Sequence, residues 1–150
     1  MGERFKKFSS WKCLRKSIAW AIRYVKQLHE IANKQRRGEA IDILKTRARN
    51  PQPLRLEELE TADKFILSTV QQSNFQDELS TLQEKIGSVK RASSINKLSP
   101  EIIDGLLCVG GRLTHAPLEN TAKHQVILPK HHHVSTLIVR YYHQCLVTQA

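Results

Sequence analysis

Histidine is the residue type in this sequence with the clearest capacity for metal chemistry. Three histidines are consecutive, at His131, His132 and His133, and His143 lies ten positions after the last of them. A structural zinc ion takes four nitrogen or sulfur ligands in a tetrahedron, which proteins usually supply as two closely spaced pairs. Adjacent side chains point in different directions on a regular helix or strand, so three of them cannot all reach one ion. We therefore interpret residues 131–133 chiefly as the polar start of a helix.

The acidic residues do not form a pattern that is typical of catalysis. After residue 87 the sequence contains only Glu101, Asp104 and Glu119. Two-metal cleavage or transfer of a phosphodiester needs clustered carboxylates that hold both ions. The sequence also lacks a Walker-type phosphate loop and a nucleophile elbow. We expect no enzymatic activity from this chain.

The three cysteines, Cys13, Cys108 and Cys145, are odd in number and far apart. This pattern favours reduced thiols over a disulfide framework. The N-terminus carries charge and no apolar run of signal-peptide length, and no stretch approaches the length of a membrane span. We expect an intracellular protein, cytoplasmic or nuclear, that does not contact a membrane.

The net charge of +10 is concentrated near the N-terminus. Residues 1–50 contain 14 Lys and Arg against 4 Asp and Glu, whereas residues 51–87 contain 3 against 7. Such an excess fits contact with DNA or RNA and fits a solvated helix face equally well. Stacking on bases would need exposed rings on this basic surface. Trp20, Tyr24 and Tyr142 can be exposed, although packing in a core or an interface is the favoured role.

One long amphipathic helix is predicted in this basic region. Ser9 and Ser10 can cap its start, and Gly38 is a natural stop. Apolar residues recur between these limits at helical spacing, at Trp11, Leu14, Ile18, Ile22, Val25 and Leu28. One helix cannot bury its own apolar stripe, so this helix must pack against a partner.

Two further helices are expected before a linker. The segment from about residue 56 to residue 72 has an apolar stripe, with glutamates at its positive dipole end. Ser73 and Gln76 form a capping-box pattern for a third helix, which Gly87 would end. Residues 88–99 are polar and rich in serine, and we interpret them as the main linker.

The remainder of the sequence contains both strand patterns and a helix pattern. Asp104-Gly105 between two apolar runs predicts a β-hairpin, because this pair suits the positive φ angles of a type I′ turn. Residues 126–128 predict another short strand, and residues 134–145 predict a last helix. The predicted fold class is α+β and mostly helical, with long N-terminal helices followed by a small hairpin-plus-helix module.

Two motifs in this last part resemble a known family. Residues 104–113 read D-G-L-L-C-V-G-G-R-L, and residues 123–133 read K-H-Q-V-I-L-P-K-H-H-H. They are similar to the entrance of the integrase region in the Pol polyproteins of BEL/Pao-type LTR retrotransposons. There, roughly D-G-L-L-R-V-G-G-R-L leads into K-H-P-I-I-L-P-x-x-H-H, a helix, and a zinc-binding histidine and cysteine set. Upstream, residues 8–14 and 54–60 resemble the F-S-S-W-x-x-L and L-x-x-E-E-L-x segments that precede integrase.

The resemblance implies three parts: a helical spacer region at 1–87, the linker at 88–99 and a truncated integrase zinc-binding-like module at 100–150. It implies a non-catalytic fragment of a retrotransposon Pol polyprotein, associated with DNA integration and nucleic-acid binding. The basic N-terminal helix would contact DNA or RNA, and a protein partner or self-association is also open. A decayed element, a gene-model fragment and a host-retained remnant remain alternative origins.

The resemblance also implies an incomplete zinc site. In the family module, a histidine late in the helix is followed five positions on by a second histidine, and then by Cys-x-x-Cys. His143 matches the first place, but Thr148 stands at the second, and the sequence ends at Ala150 without the cysteine pair. His143 is therefore the one candidate metal ligand, and we expect no cofactor here, although the intact module binds zinc.

A rival interpretation belongs to a different class of function. A host-retained interaction module would use the amphipathic helix at 11–32 to dock in the groove of a partner protein. An enzyme in its own right is the least favoured interpretation, because no set of nucleophile, base and metal ligands is present.

Overall fold

The computed structural model describes residues 2–38, 52–84, 93–110 and 123–148. In these ranges the chain forms four α-helices: α1 (Trp11–Arg36), α2 (Leu56–Asn74), α3 (Gln76–Gln83) and α4 (His133–Val147). A β-hairpin pairs β1 (Pro100–Ile103) with β2 (Leu106–Val109), and short 3-10 helices cover Gly2–Lys7 and Asn96–Leu98. The predicted fold class, α+β and mostly helical, is confirmed. No helix in the described ranges is both long enough and apolar enough to cross a bilayer.

Helix α1 begins and ends where the sequence predicts. Ser10 is the N-cap residue in an extended conformation, although its side chain makes no capping hydrogen bond. Gly38 follows the helix with φ +70°, the left-handed conformation that commonly ends helices. The apolar stripe of α1 is buried only in its first half. Val25 and Leu28, in the second half, are 50% and 46% exposed.

A first hydrophobic core lies where α1, α2 and α4 meet the N-terminal 3-10 helix. Its buried members come from all four elements and are Phe5, Trp11, Leu14, Ile66, Val70, Val134 and Leu137. Each side chain of this size contributes roughly 1.5–3 kcal/mol when it is fully buried. This core fixes α1 against α2 and α4 and determines which side of α1 faces outward.

A second hydrophobic core lies between α3 and the hairpin. Its buried members are Phe75, Leu79, Ile95, Leu107 and Ile127. Each of the two cores takes residues from both sides of the predicted linker at 88–99. The boundaries of spacer, linker and module stay a prediction, and the observed packing crosses them. Within the described part of that linker, Ile95 is buried rather than solvated.

The hairpin has the predicted turn. Ile103 pairs with Leu106, and Asp104 and Gly105 occupy the two central turn positions with φ of 52° and 79°. Positive φ at both positions is the requirement of a type I′ turn, whose twist matches that of the flanking strands. The prediction for this turn is confirmed.

Two local predictions are wrong. Residues 126–128 form only one isolated bridge, between Val126 and Cys108, because the chain meets β2 briefly before it enters α4. The capping box at Ser73 is also absent: Phe75 is the N-cap residue of α3, and the Ser73 hydroxyl donates back to the Val70 carbonyl. A serine near the end of a helix can bond its own helix instead of the next one. The predicted stop at Gly87 lies outside the described residues.

Candidate nucleic-acid interface

The outward side of α1 carries a row of cationic and aromatic side chains. Lys12, Lys16, Trp20 and Tyr24 follow one another at intervals of four residues, and all four are exposed. Residues at this spacing lie above one another on the helix surface. Trp20 and Tyr24 are 39% and 62% exposed. We call these four residues the Lys12–Tyr24 row.

An arginine stabilises the position of the first ring in this row. The guanidinium of Arg23 lies over the Trp20 ring, 4.5 Å from its centroid. The same guanidinium donates from Nε to Glu58 Oε1 at 2.6 Å and makes a second bond from Nη2 to Glu58 Oε2. Arg23 thus holds Trp20 against α1 while it connects α1 to the start of α2.

The ion pair with Arg23 changes the pKa of Glu58. Hydrogen bonding from Arg23, followed by the backbone N–H of Arg55, lowers the pKa of Glu58 to about 2. Arg15 makes a second bridge from α1 to α2, with 2.7 Å between Nη2 and Asp63 Oδ2. Burial nevertheless raises the pKa of Asp63, because loss of solvation outweighs the attraction of Arg15. Arg15 and Arg23 therefore both make ion pairs within the fold, between α1 and α2.

The other basic side chains of α1 face solvent. The helix contains seven Lys and Arg and one acidic residue, Glu30. Lys16, Lys26 and Lys34 are exposed, as are the two arginines that follow, Arg36 and Arg37. The positive charge that is not committed to α2 therefore includes Lys12 and Lys16 of the row and continues past the row to the end of α1.

Aromatic side chains of α4 adjoin the start of the row. The Lys12 ammonium lies 5.3 Å from the centroid of the Tyr141 ring. Tyr141 meets Tyr142 edge to face, with 5.2 Å between ring centroids, and Tyr142 is exposed. Packing in a core or an interface is the role that the sequence favours for Trp20, Tyr24 and Tyr142; their exposure excludes a core, and packing in an interface stays a prediction. The signal in the sequence was the four-residue spacing of Lys12, Lys16, Trp20 and Tyr24, which is offset from the apolar stripe.

The three consecutive histidines diverge, as expected for a polar helix start. His132 is the N-cap residue of α4, and its Nδ1 accepts a hydrogen bond from Val134 N at 3.2 Å. His133 Nε2 lies 2.7 Å from the Phe8 carbonyl oxygen and, in the tautomer that carries this proton, donates to it. His131 is exposed. Burial lowers the pKa of His132, with smaller contributions from the nearby positive charge of His133 and Lys6.

His143 and its neighbours do not fit a zinc site. His143 is exposed, and the Thr148 hydroxyl donates to the Gln144 carbonyl within α4. Cys145 is two residues from His143, a spacing that places side chains on different helix faces. Its hydrogen bond with Tyr141 raises the pKa of that phenol. Within the described ranges, no group of three or more His, Cys, Asp or Glu is placed to hold a metal ion.

The residues that remain as candidates for chemistry are one cysteine and three carboxylates. Cys108 is buried in β2, where burial raises the pKa of its thiol, followed by the charge of Asp104. Asp104 itself makes a long surface contact of 3.5 Å with Lys64. Glu101 is exposed on β1, and Glu119 lies outside the described residues.

The arrangement of α1 is thus the feature with the clearest binding chemistry: exposed rings and exposed cations on a helix whose first half packs against α2 and α4. Comparisons of the chain with protein-family models, with curated proteins and with solved structures find no match.

Proposed function

We propose that this chain binds single-stranded nucleic acid through the Lys12–Tyr24 row, without sequence readout and without catalysis. The observation that carries the proposal is the succession of two exposed lysines and two exposed rings at four-residue intervals along α1. Proteins that bind single strands without sequence preference combine a positively charged track with aromatic platforms for the bases.

The chemistry of the row assigns a role to each of its parts. Lys12 and Lys16 would neutralise phosphates and release their counterions, which gives affinity that falls with salt. Trp20 and Tyr24 would stack on bases, and every base has a face that permits this. The Arg23 guanidinium, 4.5 Å from the centroid of the Trp20 ring, restricts the movement of this ring, so less side-chain freedom is lost when a base stacks.

The wider context that we propose is a segment of a retrotransposon Pol polyprotein, from the region that leads into integrase. The support is the order of the motifs at residues 8–14, 54–60, 104–113 and 123–133. The genomic sequence beyond codon 150 tests this part of the proposal. A Cys-x-x-Cys pair followed by spaced catalytic carboxylates in the same reading frame would support it, and unrelated sequence would contradict it.

Binding is tested by removing one ring at a time. Trp20→Ala and Tyr24→Ala are expected to weaken binding of a labelled oligothymidylate by about 1–3 kcal/mol each in fluorescence anisotropy titrations. Phe65→Ala is the matched control, since Phe65 is an exposed ring on α2, outside the row. Circular dichroism of each variant verifies that the helices remain. Equal affinity for all three variants and the unchanged protein would exclude the row as the binding surface.

A second candidate function follows from the apolar stripe of α1. Val25 and Leu28 are about half exposed, whereas Trp11 and Leu14 are buried within the chain's own core. A protein partner would therefore meet the second half of the helix at 11–32 and not its whole length. Val25→Lys with Leu28→Lys would abolish such docking, measured by co-purification with the partner, and would leave or strengthen nucleic-acid binding.

A further inference from the structure

A second basic surface lies on α4, on the side that faces away from α1. The core positions of α4 include Val134 and Leu137, with Tyr141 packed beside them. The opposite side lines an open cleft of about 660 Å³, in which Arg140 and His143 are joined by Lys130 from the preceding turn. None of these three residues belongs to the Lys12–Tyr24 row.

The lining of this cleft suits an anion. Its polar residues are Lys130, Ser135, Thr136, Arg140, His143 and Gln144, and no carboxylate is among the described lining residues. Every one of these side chains can donate a hydrogen bond. Arginine presents its donors as a planar fork that matches two oxygens of a phosphate. The ligand chemistry that this set fits is therefore a phosphate group with several acceptor oxygens.

Ser135 provides an independent indication of a ligand. Its side chain is buried, with the residue only 6% exposed, and it lines the cleft. Its hydroxyl oxygen is enclosed and has no hydrogen-bond partner among the described residues. A buried hydroxyl without a partner costs free energy, and rotation of the Ser135 side chain toward the cleft would let an oxygen of a bound anion supply the missing acceptor.

The spacing along α4 places the donors on consecutive turns. Thr136, Arg140 and Gln144 form one row at intervals of four residues, and Ser135 and His143 lie on the adjacent row. Lys130 approaches from the chain before the helix. The cleft therefore offers the Arg140 guanidinium and the Gln144 amide one turn apart along the helix axis, whereas the Thr136 hydroxyl already donates to the His132 carbonyl at 3.4 Å.

We propose that this α4 cleft binds a backbone phosphate of the nucleic acid, as a second contact away from the Lys12–Tyr24 row. The inference rests on the proposed function, because it assigns the ligand to the same nucleic acid. Inorganic phosphate is the simplest probe of the cleft, and an oligothymidylate is the probe of its use in nucleic-acid binding.

The first arm of the test measures thermal unfolding of the full chain in sodium phosphate and in sodium chloride of equal ionic strength. Phosphate is expected to raise the Tm of the unchanged protein in a saturating manner, as a ligand of the folded state does. Arg140→Gln and Ser135→Ala are expected to lose this shift, and Lys97→Gln, an exposed cation outside the cleft, is expected to keep it. Ser135→Ala should also be as stable as the unchanged protein, or more stable, in chloride, because it removes an unpartnered hydroxyl. An equal phosphate shift in all variants would overturn the site.

The second arm measures oligothymidylate binding as a function of salt. Arg140→Gln is expected to reduce the slope of log affinity against log salt by about 0.7, the contribution of one phosphate on a single strand. A phosphate-dependent Tm shift with an unchanged DNA slope would overturn the nucleic acid as ligand and leave a free-phosphate site. A salt slope that falls in Lys16→Gln but not in Arg140→Gln would overturn this inference alone. No DNA binding by the unchanged protein would overturn the proposed function together with it.

Discussion

Gln71 shows how one buried amide can hold distant parts of this chain together. Its Nε2 donates to the carbonyl oxygens of Leu107 and Ile127 at 2.8 and 2.9 Å, and its Oε1 accepts from Leu107 N at 2.8 Å. The side chain belongs to α2, whereas its partners belong to β2 and to the segment before α4. Buried backbone groups need such partners, because water cannot reach them.

Removal of this amide is predicted to destabilise the fold. Gln71→Leu keeps a similar volume but leaves Leu107 N and Ile127 O without the partner that Gln71 supplies, at about 1–3 kcal/mol for each unsatisfied group. The exposed neighbour Gln72 provides the control, and Gln72→Leu should change stability by less than about 0.5 kcal/mol. Urea unfolding followed by circular dichroism measures both. Equal stability of the two variants would show that the Gln71 hydrogen bonds contribute nothing.

The hairpin turn gives a second prediction at the residue scale. Gly105→Val places a β-branched residue at φ +79° and is expected to cost about 1–2 kcal/mol. The strain comes from the backbone alone, since the space around Gly105 is open. Ser94→Val, at an exposed turn position outside the hairpin, is the control and should be nearly neutral. A similar loss of stability at both positions would mean that the left-handed conformation of Gly105 is not the cause.

At the scale of elements, the start of α4 depends on the protonation of one histidine. The Nδ1 of His132 must be unprotonated to accept from Val134 N. Burial and the nearby positive groups lower the pKa of His132 below its ordinary value of 6.5. A lowered pKa in the folded state means that folding favours the neutral ring. The contribution of His132 to stability is therefore complete above pH 6.5 and is lost as the pH falls below that value.

A substitution isolates this dependence. His132→Asn retains a capping side chain that does not titrate, whereas His132→Ala removes the cap at a cost of about 0.5–2 kcal/mol. The free energy of unfolding, measured by urea titration across this pH range, should decline less steeply on acidification in His132→Asn than in the unchanged protein. The other histidines remain in both proteins, so the difference between the two slopes reports His132. Identical slopes would contradict the assigned role.

Local elements could be predicted from the sequence, and the reason is physical. The Asp104-Gly105 turn, the start of α1 at Trp11 and the helical stop at Gly38 depend on conformational preferences of a few adjacent residues. The hydrogen bonds of the Gln71 amide could not be predicted, because their partners lie 36 and 56 positions away in the chain. No short-range pattern distinguishes Gln71, which is buried, from Gln72, which is exposed.

The candidate site was predicted only in part for the same reason. The basic excess near the N-terminus was evident from composition, and the expected helix carries it. Which sides of that helix face outward is decided by the packing of α2 and α4, with Arg15 and Arg23 held by carboxylates of α2. Exposure of Trp20 and Tyr24 follows from that packing. Spacing alone shows which residues share a face, and tertiary contacts decide which face is solvated.

At the scale of the whole molecule, charge is the property that links the structure to the proposed function. The net charge is +10, and the exposed side of α1 concentrates part of it around two exposed rings. Such a surface attracts a polyanion and carries no pattern that distinguishes one base from another. Binding by this surface should therefore depend on ionic strength and not on sequence.

The most direct test of this central claim is the salt dependence of binding to single-stranded oligonucleotides of different sequence, measured by fluorescence anisotropy. The logarithm of affinity should fall linearly with the logarithm of salt concentration, with the same slope for each sequence. Lys16→Gln should reduce that slope by about 0.7, because one phosphate contact is lost. Tight binding that survives high salt, a clear sequence preference, or no binding at low salt would contradict the account.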